Sequence, residues 1–135
     1  MQTQGSQTIG SRQIHLDFHT SEYLPEVGKA FSKEQFQAAL KVARVNAINV
    51  FAKGHHSWSY YPTKVGTMHP NLNFDLLGAQ IEACHEIGVL APIYYTFGWS
   101  AYDAEQHPEW CARNCRFFSV HSGAAMSCAD KAIIG

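Results

Sequence analysis

FSKEQFQAALKVARVNAINVFA, residues 31–52, is the stretch on which the fold turns. Ser32 is a natural N-cap, and Gln35, three residues on, completes a capping box. Phe31 and Phe36 stand at hydrophobic-staple spacing on either side of the cap. Phe36, Ala39, Leu40 and Ala43 then line one helical stripe. From residue 46 to 52 the period disappears and the chain is mostly apolar, as in a strand buried on both faces. A capped helix feeding a doubly buried strand is one repeat of a parallel α/β fold.

The flanks extend the pattern. Residues 12–18 alternate, with Ile14, Leu16 and Phe18 on one side and Gln13, His15 and Asp17 on the other, which predicts a strand. A second helix is expected over 74–87, with Leu77, Ile81 and Cys84 on one face and Gly88 as its C-cap glycine. A third apolar strand follows over 89–97, although Pro92 inside it cannot donate to a sheet ladder. Strand, helix, strand, helix, strand implies parallel strands with right-handed crossovers. Two architectures satisfy that order: an open doubly wound sheet, or the N-terminal βαβαβ portion of a (β/α)8 TIM barrel. A complete barrel needs roughly 200 residues or more, so in the barrel reading this chain is a fragment. The expected divisions are a flexible N-terminus over 1–11, a partial barrel over 12–110, and an atypical tail over 111–135.

Composition narrows the function classes. The chain has 135 residues, 46% of them hydrophobic, and a net charge of -1, the balance of an ordinary globular domain. With 10 Lys+Arg against 11 Asp+Glu and no basic run, nucleic acid is not an expected partner. No run reaches the ~18 apolar residues of a membrane span, and residues 1–13 lack the apolar core of a signal peptide. The expectation is a cytoplasmic protein without a disulfide scaffold. No phosphate-binding loop, dinucleotide fingerprint or nucleophile elbow occurs, so no cofactor is expected.

Eight histidines stand out. In either architecture, functional groups gather at the carboxyl ends of the strands. His19 ends the first strand, His55 and His56 follow the second, and Gly98 and Trp99 follow the third. The connection over 53–73 exceeds the usual ~2–6 residues and carries His55, His56, Trp58, Tyr60, Tyr61 and His69. Aromatic faces beside imidazoles suit a sugar, which presents apolar C–H faces and polar hydroxyl edges. A self-packed loop with a small satellite core is the competing account of the same residues. Most glycosidases use two carboxylates. Asp17, Glu22 and Asp103 are the acids expected near the rim, and no catalytic pair stands out among them. The acids on helices, Glu34, Asp75, Glu82 and Glu86, read as solvated or helix-start charges. His15, Asp17 and His19 alternate in a way that also suits metal ligands. Cys111, Cys115, His121 and Cys128 do not have a familiar zinc spacing.

The run from Ile14 to His19, the run Val50 to Thr63 with Ala52-Lys53-Gly54-His55-His56-Ser57-Trp58 at its centre, Gly88-Val89 leading to Tyr94-Tyr95, and His107-Pro108-Glu109-Trp110 resemble the hypothetical glycosyl hydrolase 6 group. That group is similar in turn to α-L-fucosidases. The resemblance implies a TIM barrel that hydrolyses glycosidic bonds. It further implies that His55 and His56 contact the sugar in the first subsite, with His19 nearby and Trp58 as the aromatic after the pair. Ser57 stands where fucosidases usually carry Asp, which counts against fucose specificity. The nucleophile of that family comes from the fourth strand and its acid from later still, so both would lie outside this chain. The tail after Trp110 departs from the family pattern, as a truncated or frameshifted gene would.

The first expectation is therefore part of a glycoside hydrolase, inactive alone, with a carbohydrate substrate, the remainder of the barrel as partner, and His19, His55, His56, Trp58, Tyr60 and Trp99 as substrate-binding residues. The alternatives are a metal-dependent amidohydrolase-like enzyme using His15, Asp17, His19 and His55, and a non-catalytic carbohydrate-binding module.

Overall fold

The computed structural model describes residues 10–111. Three strands form its parallel centre: β1 (Gln13–His15), β2 (Ala47–Lys53) and β5 (Ile93–Tyr95). β2 lies between β1 and β5 and pairs parallel with both. Helix α1 (Lys33–Val42) connects β1 to β2, and helix α2 (Leu76–Glu86) lies on the path from β2 to β5. The alternation expected from the sequence is present, and the sheet is mixed only because of an excursion. β3 (Trp58–Ser59) turns back antiparallel to β2, and β4 (Thr67–Met68) pairs with β3. The sequence reading had this segment only as a long connection. Its strands are two residues each, too short to show a period. A short helix, α3 (Ala101–Gln106), and a 3-10 turn over Pro108–Trp110 complete the described residues.

Helix α1 begins at the predicted cap, but only half of the capping box forms: the side chain that meets Ser32 is Glu34, at 2.9 Å, and not Gln35. Ser32 Oγ accepts the N–H of Gln35 at 3.3 Å, and the Phe31 and Phe36 rings stand 5.6 Å apart. Both long helices end in a Schellman motif. After α2, Gly88 takes φ +71 while Gly88 N–H and Val89 N–H bond to the carbonyls of His85 and Cys84. After α1 the same pair of bonds runs from Arg44 and Val45 to Lys41 and Leu40. Here the left-handed position is held by Arg44, with φ 51. An L side chain in that region costs about 1–2 kcal/mol. Arg44→Gly is therefore expected to raise stability by about 1 kcal/mol. Urea denaturation measures it, and an unchanged or lower midpoint refutes the assignment.

The two faces of β2 have different neighbours. Ile48, Val50 and Ala52 join Leu40, Leu77, Cys84 and Val89 in the core under the helices. Ile81 packs against the same cluster, so the predicted α2 stripe is the one that is buried. Burial pushes the Cys84 thiol up to about 11. On the opposite face Phe51 stacks on Tyr94 at 4.2 Å and meets the edge of His15 at 5.2 Å. Phe51 also belongs to a second cluster with Val27, Tyr60, Leu72 and Leu76, which closes one end of the sheet.

Three local expectations change. Strand β1 stops at His15, where Asp17 N–H bonds back to the His15 carbonyl. Leu16 therefore packs in the helix-side core and Phe18 in the second cluster, rather than on one face. Pro92 is tolerated because the ladder asks it only to accept: its carbonyl takes Val50 N–H at 3.0 Å. Glu82 and Glu86 are not merely solvated, since Lys33 reaches both across the helix pair, at 3.3 and 2.8 Å. Among the described residues no helix is long and apolar enough to cross a membrane. The expectations for residues 1–9 and 112–135, including a site with Cys115, His121 and Cys128, lie outside the described residues.

Candidate functional site

The carboxyl end of β2 runs directly into a β-turn. Ser57 N–H bonds to the Gly54 carbonyl at 3.0 Å, which puts His55 and His56 at the two corners. Ser57 closes the turn with φ 78. Gly54 is needed because a Cβ there would stand 2.9 Å from His19 Nδ1. Absence of a side chain at Gly54 lets His19 come in from the loop after β1, four residues beyond the strand it was expected to end. His19 Nδ1 accepts the backbone N–H of His55 at 3.0 Å, and its ring centroid lies 4.2 Å from that of His55. The His55 and His56 rings are also 4.2 Å apart. Three histidines, one from the loop after β1 and two from the turn after β2, thus form one continuous row.

The hydrogen bonds assign His19 a tautomer. Nδ1 accepts, so in the neutral ring Nε2 carries the proton, and it stands 3.0 Å from Asp17 Oδ1 as an ion-pair contact. His19 thus braces the turn through Nδ1, with the Asp17 carboxylate beside its other nitrogen. His15 lies behind it, against the same Phe51 and Tyr94 rings. Among the described residues no group of three or more His, Cys, Asp or Glu side chains is arranged to hold a metal ion.

Burial lowers the pKa of His19 below the ordinary 6.5, and His55 lowers it further, against an opposing Asp17. Burial, then His55, lowers His56 as well. The unfolded chain therefore takes up protons at these positions before the folded chain does. Stability is fully present above the unfolded pKa and falls as pH drops through 6.5 towards the lower folded values. The melting temperature should decrease from neutral pH to about pH 5, and His56→Gln should flatten part of that slope. A flat wild-type profile would contradict it.

The aromatic residues of the excursion occupy different depths. Trp58 is buried, donates Nε1–H to Glu22 at 3.3 Å and packs on Tyr102 at 4.8 Å. Tyr60 is 1% exposed, and its hydroxyl meets Thr20 N–H at 3.0 Å and Thr20 Oγ1 at 2.9 Å. His69 is equally enclosed, bonded to the Ser21 carbonyl and to Asn71 N–H. These residues form the satellite core beneath the histidine row. Trp99 is exposed beyond β5 and makes no ring contact with the histidines among the described residues.

A polar network that the sequence reading did not anticipate ties this turn to α3. Lys53, the last residue of β2, is buried and pairs with Asp103. Ser100 donates to the same Asp103 oxygen at 2.5 Å and bonds Ser57 Oγ at 2.7 Å. Ala101 N–H bonds the His55 carbonyl at 2.8 Å. Burial alone would raise the pKa of Asp103, but the bonds from Lys53 and Ser100 outweigh it and hold the carboxyl below its usual range. The available signal was Ser100-x-x-Asp103, close to the helix-start signature of a hydroxyl followed three residues later by an acid. Asp17, Glu22 and Asp103, the three acids expected near the rim, are each engaged by a neighbour: His19, Trp58 and Lys53.

A mixed α/β unit that gathers histidines at the carboxyl end of its central strand has its polar groups where ligand sites of α/β folds lie. Residues 32–128 match the model of the family described as hypothetical glycosyl hydrolase 6, and the chain belongs to that family. Among solved structures it is similar to α-L-fucosidase isoenzyme 2 from Paenibacillus thiaminolyticus, with 51% identity and a TM-score of 0.77. That likeness covers 83% of this chain and 17% of the fucosidase chain. No curated protein matches the chain.

Proposed function

We propose that this chain forms the sugar-binding opening of a glycoside hydrolase of the α-L-fucosidase-like kind, built as the first strands of a (β/α)8 barrel. The observation that carries the reading is the β-turn at the end of β2, which presents His55 and His56 side by side and is braced by His19. His55 and His56 meet sugar hydroxyls, and Trp99 offers an exposed ring for a C–H face. Trp58 and Tyr60 support the turn from within. β1 and β5 each pair with β2 on one side, which leaves edges for further barrel strands. The catalytic carboxylates come from such strands, since each acid near the row already has a partner.

The test is titration of the full 135-residue chain with L-fucose and, because Ser57 counts against fucose specificity, with D-galactose and D-glucose alongside, followed by NMR of the histidine ring signals. Saturable shifts that disappear in His55→Ala, with no release of nitrophenol from an aryl α-L-fucoside, are the expected result. Absence of His55-dependent binding would refute the sugar site. Turnover by this chain, abolished at one of its own carboxylates, would refute the placement of the catalytic acids.

A further inference from the structure

The turn that carries His55 and His56 is anchored from both sides. His19 Nδ1 accepts the His55 N–H at 3.0 Å from one side, and the His55 carbonyl accepts Ala101 N–H at 2.8 Å from the other. Ser57, which closes the turn, adds a further anchor: its Oγ accepts Asp103 N–H at 3.2 Å. Ala101 and Asp103 both belong to the first turn of α3.

The order of protons in this network is fixed by its donors. Ser100 Oγ donates to Asp103 Oδ2 at 2.5 Å, which uses its one proton. At its 2.7 Å contact with Ser57 Oγ it must then accept, and the Ser57 hydroxyl donates. Ser57 thus donates towards Asp103 through Ser100 and accepts from the Asp103 backbone, which closes a ring of bonds. Lys53 donates to the same Asp103 oxygen from the end of β2, the strand that leads into the turn. Ser57 is 2% exposed, so its hydroxyl serves this ring and is not offered to a ligand. Its backbone has φ 78, a region that L side chains rarely adopt. Strain of this kind persists only where the surroundings enforce it, and it gathers at binding and catalytic sites.

We infer that the start of α3 is a clamp on the His55–His56 turn, and that Ser57, Ser100 and Asp103 are positioning residues for the sugar those histidines hold. Residue 57 acts on the sugar through the turn and not by contact. The inference rests on the proposed sugar-binding role of His55 and His56, and it adds that their placement is set by a helix that follows β5. A released turn exchanges among several forms, of which only the held one binds. With the held form populated about a tenth to a third of the time, the apparent Kd rises roughly 3- to 10-fold.

The test compares Ser57→Gly, Ser57→Ala and Ser100→Ala in the full chain. One readout is the nuclear Overhauser cross-peaks between the His55 and His56 rings, which stand 4.2 Å apart. The other is the Kd for whichever of L-fucose, D-galactose and D-glucose binds the wild type. All three variants should weaken the ring cross-peaks and raise Kd roughly 3- to 10-fold. Both Ser57 variants lose the hydroxyl, but glycine relieves the left-handed strain, so Ser57→Gly should melt higher than Ser57→Ala. It should nevertheless bind no more tightly, because its backbone is freer. A residue that only stabilises the fold would give the opposite order, with affinity following melting temperature. That order, or wild-type cross-peaks in both Ser57→Gly and Ser100→Ala, overturns the clamp. If none of the three sugars binds the wild type, the sugar reading fails by itself. The ring cross-peaks then decide the clamp alone: their loss in the variants supports it, and their retention overturns it.

Discussion

Phe51→Ala is expected to destabilise the chain by about 3–5 kcal/mol, the range for losing a buried phenylalanine. Phe51 is buried in the central strand, with Tyr94 stacked at 4.2 Å and the edges of His15 and His19 at 5.2 and 5.0 Å. Its removal empties the space between the second core cluster and the histidines. The effect therefore has two parts: a cavity, and a His19 ring that loses the surface holding it against the turn. Phe51→Leu fills most of the volume and should cost considerably less. Equilibrium denaturation of both variants measures the first part, and the His19 ring signals report the second. A loss below about 1 kcal/mol for the alanine variant, the size of an average substitution, would mean that this face of the sheet is not a core.

Tyr60→Phe should cost about 1–3 kcal/mol, although it removes one oxygen atom. The Tyr60 hydroxyl satisfies Thr20 N–H and Thr20 Oγ1, and Thr20 is buried. Phenylalanine leaves a buried backbone donor with no acceptor, which costs more than the mean value of a hydrogen bond. Burial pushes the Tyr60 phenol up, against the Thr20 bonds, so it stays a neutral hydroxyl through physiological pH. Thr20 follows His19 directly, so accelerated amide exchange at Thr20 should accompany the loss. Unchanged exchange with unchanged stability would show that the bond carries no weight.

The parts of the fold that were legible in the sequence are the ones governed by neighbours in the chain. The Ser32 cap, the Phe31–Phe36 staple and the Gly88 C-cap each depend on residues within one helical turn, and each occurs as expected. Strand β2 was legible because a run of apolar residues this dense has to be buried on both faces. The end of β1 was less so, since its alternation continues to Phe18 while the backbone leaves the ladder after His15. β3 and β4 gave no signal, because two-residue strands are stabilised by what they pair with and not by their own pattern.

The site divides along the same line. From the sequence alone come the capped α1, the apolar β2 leading into Gly54-His55-His56, and the family resemblance of that motif. These follow from local chemistry: spacing, capping and dense apolar runs act over a few residues. Only the tertiary structure decided that His19 reaches the turn, that Tyr60 and His69 belong to the interior, and that Lys53 meets Asp103, fifty positions away. Those outcomes depend on how far each strand runs and on which loop folds over it. Long-range packing sets both, and the side chains involved carry no mark of it in their own neighbourhood.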